Sequence, residues 1–124
     1  MLKITVTTSK DSGLCPVRNV LANVTGKWSS LVLLSLDDGP LRFSAIKRTI
    51  GDITQRVLTE NLRSLERDGY ITRSVKPGPP VEVSYKLTSM GTELVRLLIP
   101  LALWAEQNFD YVRRQRHNYD INGK

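Results

Sequence analysis

This chain of 124 residues carries one thiol, Cys15, and one imidazole, His117, and each scarcity excludes a chemistry. Cys15 has no second thiol to pair with inside the chain, so an intramolecular disulfide framework and a zinc site built from several thiolates are ruled out. A reducing compartment is the expectation. His117 stands in a polar run with Arg116, Asn118 and Tyr119, an unpromising start for a Ser-His-Asp or Cys-His device. No glycine-rich phosphate loop, metal-ligand cluster or nucleophile beside its base is legible, so no enzyme, cofactor or metal is expected. Long apolar runs are missing too. Residues 31–36 and 97–105 fall far short of the roughly 18 residues that a membrane span needs, and no charged-then-apolar leader is recognisable. A soluble, cytoplasmic protein without a membrane partner is expected.

What is present is an ordinary globular composition, 40% hydrophobic and 24% charged, at a length typical of one domain. Eighteen Lys and Arg against twelve Asp and Glu leave a net charge of +6, which points toward a polyanion such as nucleic acid. The first residues, Leu2, Ile4 and Val6 against Lys3, Thr5 and Thr7, read as an arm or short strand over 1–14. From Cys15 the period becomes helical. Pro16 suits a first helical position, and Val17, Val20, Leu21 and Val24 recur at three- and four-residue steps to about residue 25. Trp28, Leu31, Val32, Leu34 and Leu36 are apolar round most of a second helix, as in a buried core helix, and residues 37–40 stop it.

Phe43, Ile46 and Ile50 mark a short amphipathic helix with Arg42, Lys47 and Arg48 on its wet side. Thr54 then caps a helix to about Asp68 that buries Val57, Leu58, Leu62 and Leu65 and ends at Gly69. At about 100° per residue, Arg56, Thr59, Glu60 and Arg63 project the other way. Residues 71–76 and 81–87 read as two strands joined by Pro77, Gly78, Pro79 and Pro80. Val81, Val83, Tyr85 and Leu87 alternate with Glu82, Ser84 and Lys86, which predicts one buried face and one wet face. A last helix from Thr88 to about Arg116 carries Leu94, Leu97, Leu98, Leu101, Trp104 and Phe109, with a kink expected at Pro100 unless its neighbours absorb the missing hydrogen bond. A polar tail is expected over 117–124.

Three helices, a turn, an amphipathic helix, a hairpin and a long helix come in the order of a winged helix-turn-helix domain, expected over 15–116. The fold class is mainly α with a small β-hairpin. The second helix of the turn motif would enter the major groove, which admits an α-helix and displays all four base pairs distinctly. Nine basic and five acidic residues between Arg42 and Lys86 place a net +4 there, most of the surplus.

The residues also resemble a family, the HxlR-type winged helix-turn-helix transcriptional regulators of bacteria and archaea. The likeness runs from Cys15 to about Trp104 and rests on Cys15-Pro16-Val17, Gly26-Lys27-Trp28, Gly39-Pro40-Leu41-Arg42-Phe43, Leu58-Thr59 and Leu62-Arg63. It continues through Leu65-Glu66-Arg67-Asp68-Gly69-Tyr70-Ile71-Thr72-Arg73 and Tyr85-Lys86-Leu87-Thr88, with Gly91 and Trp104. It implies a DNA-binding homodimer whose first and last helices pack together with the wings at the outer edges. Such a dimer reads a pseudo-palindrome with half-sites about 34 to 36 Å apart, or a multiple. A basic residue is usual near the wing position of Glu82, so a weaker wing contact is expected here.

Thr54, Gln55, Arg56, Thr59 and Arg63 are therefore the expected base or phosphate contacts, with Arg42, Lys47 and Arg48 as phosphate clamps or plain surface and Lys76 and Lys86 on the wing. Arg73, in phase with Ile71 and Val75, divides between a structural role, pairing with a carboxylate or capping carbonyls, and a phosphate contact. Val17, Leu21, Leu97, Leu98, Leu101, Trp104 and Phe109 are the expected dimer interface, and Trp28 and Trp104 are packing residues. Cys15 at a helix start is a candidate redox sensor, because the positive helix end lowers a thiol pKa, and some members of the resembled family sense oxidants there. Its plain alternative is a small residue with no regulatory role. The expected function is a sequence-specific regulator, a repressor, with an oxidant or small-molecule effector left open. A winged-helix protein-interaction module that never touches DNA is the alternative.

Overall fold

The computed structural model describes residues 15–123, so the expected N-terminal arm or strand lies outside the described residues. Helices α1 (Pro16–Val24) and α2 (Ser29–Ser35) are followed by a two-residue strand β1 (Leu41–Arg42) and then α3 (Phe43–Ile50) and α4 (Gln55–Arg67). Strands β2 (Ile71–Lys76) and β3 (Glu82–Leu87) form the hairpin, and α5 (Ser89–Ile121) closes the chain. Pro16 opens α1 without needing an amide partner. Gly51 and Gly69, at φ of 101° and 86°, end α3 and α4 in a backbone region that a Cβ disfavours.

The core is one cluster. Val32, Leu33 and Leu36 of α2, Ile46 of α3, Ile53 of the turn, and Leu58, Leu62 and Leu65 of α4 meet Ile71, Val95 and Leu98. Leu31 departs from the expected all-round burial of α2, since it faces out.

The sheet has three strands in the order β1-β3-β2, all antiparallel, one more than the hairpin alone. Leu41 lies opposite Tyr85, and Arg42 opposite Ser84. Two residues show no period, and β1 exists only because β3 passes beside it. The expected half-buried hairpin also needs correction. Among its apolar residues only Ile71 is buried and Tyr85 and Leu87 are partly covered, while Val75 and Val81 are exposed. The strands run past the edge of the helical core, so period-2 patterning finds nothing to cover its far half.

Helix α5 has 33 residues, about 50 Å at the usual rise. It stays helical through Pro100 and ends at Ile121, past the expected stop near Arg116, so His117 and much of the expected polar tail are helical. Only Gly91, Val95 and Leu98 of it are buried. Its first turn is tied to the end of α4. Thr88 accepts from the Gly91 amide at 3.0 Å and donates to the Gly69 carbonyl at 2.7 Å, while its own amide donates to the Tyr70 carbonyl at 3.0 Å. A Cβ on Gly91 would collide with that same Tyr70 carbonyl, so glycine is what lets α5 approach.

Candidate nucleic-acid interface

Three devices hold α4. Its leucines Leu58, Leu62 and Leu65 are anchored in the core, and Thr54 caps its start by accepting from the Val57 amide at 3.2 Å. The third joins it to α2. Ser29 donates to the Asn61 side-chain oxygen at 2.7 Å, and the Asn61 amide donates to the Val57 carbonyl at 2.9 Å. Ser29 and Asn61 were not singled out in the sequence, because a hydrogen bond across 32 positions leaves no local signature.

With its apolar face spent, α4 turns its polar face to solvent. Gln55, Arg56 and Arg63 are exposed and Thr59 is partly covered. The Arg56 side chain is 84% exposed, and Glu60 one turn on is 3.8 Å away, an exposed pair of little energetic weight. Thr59 donates back to the Gln55 carbonyl at 2.8 Å. Both Thr54 and Thr59 thus use their hydroxyls on the helix itself.

The wing adds a neighbour that the sequence reading did not choose. Directly opposed residues share a face, so Ile71 with Leu87, Arg73 with Tyr85 and Val75 with Val83 form one face, and Thr72 with Lys86, Ser74 with Ser84 and Lys76 with Glu82 form the other. The first face is turned to α4. Thr59, Arg63 and Glu66 of α4 and Arg73 and Tyr85 of the wing line an open notch of about 310 Å³. Among the described residues Arg73 makes no ion pair, so the carboxylate pairing considered for it is not formed. Lys76 and Lys86, the expected wing contacts, are exposed on the opposite strand face.

Arg42 is engaged. Its guanidinium lies 2.7 Å from the Glu82 carboxylate, joining β1 to β3, so the expected phosphate clamp and the expected repulsive wing carboxylate neutralise one another. Lys47 is partly covered and Arg48 exposed, both in the last turn of α3, where the helix dipole favours cations.

The residues expected at a dimer interface divide. Leu98 is 6% exposed and belongs to this chain's own core. Val17 is partly covered. Leu21, Leu97, Leu101, Trp104 and Phe109 are exposed, as are Val20 and Leu103, so Trp104 is not a packing residue within the chain. Trp28 is partly buried against the core, with the Lys27 ammonium 4.8 Å from its ring. On α5, Leu97, Leu101, Trp104 and Tyr111 fall within about 40° of one line, whereas Phe109 lies about 120° round from it. Cys15 sits at the N-cap of α1 and is 3% exposed.

Among the described residues, no group of three or more His, Cys, Asp or Glu could hold a metal ion, and no helix is long and apolar enough to cross a membrane.

Comparison with known proteins agrees with this geometry. Residues 23–113 match the HxlR-like helix-turn-helix family. An uncharacterised HTH-type transcriptional regulator of Methanothermobacter thermautotrophicus is 47% identical over 96 residues, covering 77% of this chain and 73% of the relative. The solved YtfH protein of Salmonella typhimurium is 39% identical with a TM-score of 0.77, over 83% of this chain and 92% of that one. The reduced form of the redox regulator HypR is 36% identical with a TM-score of 0.74, over 80% of this chain and 98% of that one.

Proposed function

The chain belongs to the HxlR-like helix-turn-helix family of transcriptional regulators, and from that premise we propose that it is a homodimeric repressor reading a pseudo-palindromic operator. The observation that carries the reading is the outward face of α4. Arg56 and Gln55 are exposed at the start of a helix whose other face is spent on the core, and the N-terminal residues of such a helix are the ones that reach base edges in a major groove. Thr54 and Thr59 stiffen that end, and Arg48 and Lys47 flank it where phosphates pass.

The exposed stripe Leu97, Leu101, Trp104 and Tyr111, with Val20 and Leu21 of α1, supports pairing through the first and last helices. An apolar surface of this kind on a basic DNA-binding chain is better met by a second copy than by solvent. Selection of bound genomic fragments, followed by sedimentation of the protein alone and on DNA, tests both halves. Enrichment of two half-sites related by a dyad, bound by two chains, is expected. Enrichment of no sequence, or binding as a monomer, would refute the proposal.

Regulation by oxidant is a second reading, supported by the likeness to HypR and by the place of Cys15 at the start of α1. With 3% of the residue exposed, any adduct on this thiol must unseat the start of the helix. Diamide with an added small thiol, which forms a mixed disulfide on Cys15 as the diazene takes up the two electrons and two protons, is expected to release operator DNA from the parent protein and not from Cys15→Ser. Equal release from both would remove Cys15 from regulation.

A further inference from the structure

We infer that the notch between α4 and the wing is a seat for one phosphate of the duplex backbone, and that Arg63 and Arg73 hold it together. This deepens the DNA-binding reading and rests on it. Two guanidiniums from different elements, one on a helix and one on a strand, line one concavity of about 310 Å³ with the Tyr85 phenol and Thr59. Neither arginine has an ion-pair partner among the described residues, in contrast to Arg42, Arg56 and Arg113. Two guanidiniums facing one concavity make its potential positive, which favours an anion there. Guanidinium is suited to the task, since its planar fork matches the oxygens of a phosphate.

The lining also contains a carboxylate, Glu66, one turn beyond Arg63, which makes no ion pair with either arginine. Against the two guanidiniums it leaves the lining a formal charge of +1, which matches the single charge of one phosphodiester. The open form of the notch fits a group presented on a polymer better than a small molecule that needs enclosure. Its position beside α4 matches where a strand passes when that helix lies in the groove.

The consequence is a division of labour on one helix. Arg56 reads sequence, whereas Arg63, turned to the wing, joins Arg73 in sequence-independent anchoring. The test is fluorescence anisotropy over a potassium chloride series, using a duplex recovered by fragment selection and a scrambled duplex of equal length. Arg73→Ala is expected to lower the log–log salt slope by about one unit and to weaken binding to both duplexes by the same factor. Arg73→Lys restores the slope, because the charge returns. An unchanged slope in Arg73→Ala, or a loss confined to the selected duplex, overturns the phosphate seat while leaving the DNA-binding reading in place.

Pyrophosphate titrated without DNA, followed by the guanidinium nitrogen resonances, decides the seat even if no duplex binds. Arg63 and Arg73 should shift together in the parent protein, and the Arg63 shift should shrink severalfold in Arg73→Ala. No shift at either arginine overturns the proposal. Arg73 is exposed, so the variant is expected to keep the circular dichroism melt of the parent.

Discussion

Helices α4 and α5 are both amphipathic, yet they leave opposite faces uncovered. On α4 the leucines Leu58, Leu62 and Leu65 are at most 2% exposed and the arginines stand out, whereas on α5 Leu97 is 69% and Trp104 is 59% exposed. The small core is complete once α4 and the first turns of α5 have docked. Among the described residues, most of the remaining length of a helix about 50 Å long stays uncovered. A face left polar and basic suits a polyanion, and the face left apolar is the basis of the pairing proposed above. The contrast separates folding, assembly and DNA binding into residues that can be changed one at a time.

The largest expected effect is on the satisfied face. Leu62→Ala leaves a cavity between α4 and its neighbours and should cost about 2 to 5 kcal/mol, measured by urea unfolding. A loss below about 1 kcal/mol would mean that α4 is not anchored as described. On the uncovered face, Trp104→Asp should leave the fold of each chain intact while abolishing dimers in sedimentation and the concentration dependence of Tm. Retained dimers would place the interface elsewhere. Arg56→Ala should weaken operator binding by about 1 to 3 kcal/mol with the unfolding midpoint unmoved. An unchanged affinity would break the comparison at its DNA side.

The smallest effect is expected at the partly exposed Arg42–Glu82 pair. Glu82→Gln should change stability by less than about 0.5 kcal/mol, since a pair this open to solvent is screened. It frees Arg42 beside the wing, so the salt slope of DNA binding should steepen by up to about one unit. A shallower slope would show that the pair positions the wing rather than occupying the arginine.

Elements with a long period were readable from residue order. The helix capped by Thr54 appears within one residue at either end, and β2 appears over the same six residues. Failures came where a residue's fate depends on what lies across from it. Val75 and Val81 alternate properly and still face solvent, because the core stops short of them. Leu98 and Leu97 look equivalent in the string, but one is core and the other is not. Arg73 and Lys86 differ by which strand face the register gives them, and only one of those faces is turned to α4.

Residue order alone determined the helices, the stops of all but the last, the Thr54 and Thr88 caps, the basic outward stripe and the single thiol, since each is a property of neighbours within a few positions along the chain. The meeting of β1 with β3, the capture of Arg42 by Glu82, the convergence of Arg63 with Arg73, and the point along α5 at which burial ends were decided by tertiary structure. Those depend on distances between segments far apart in sequence, which local periodicity does not encode.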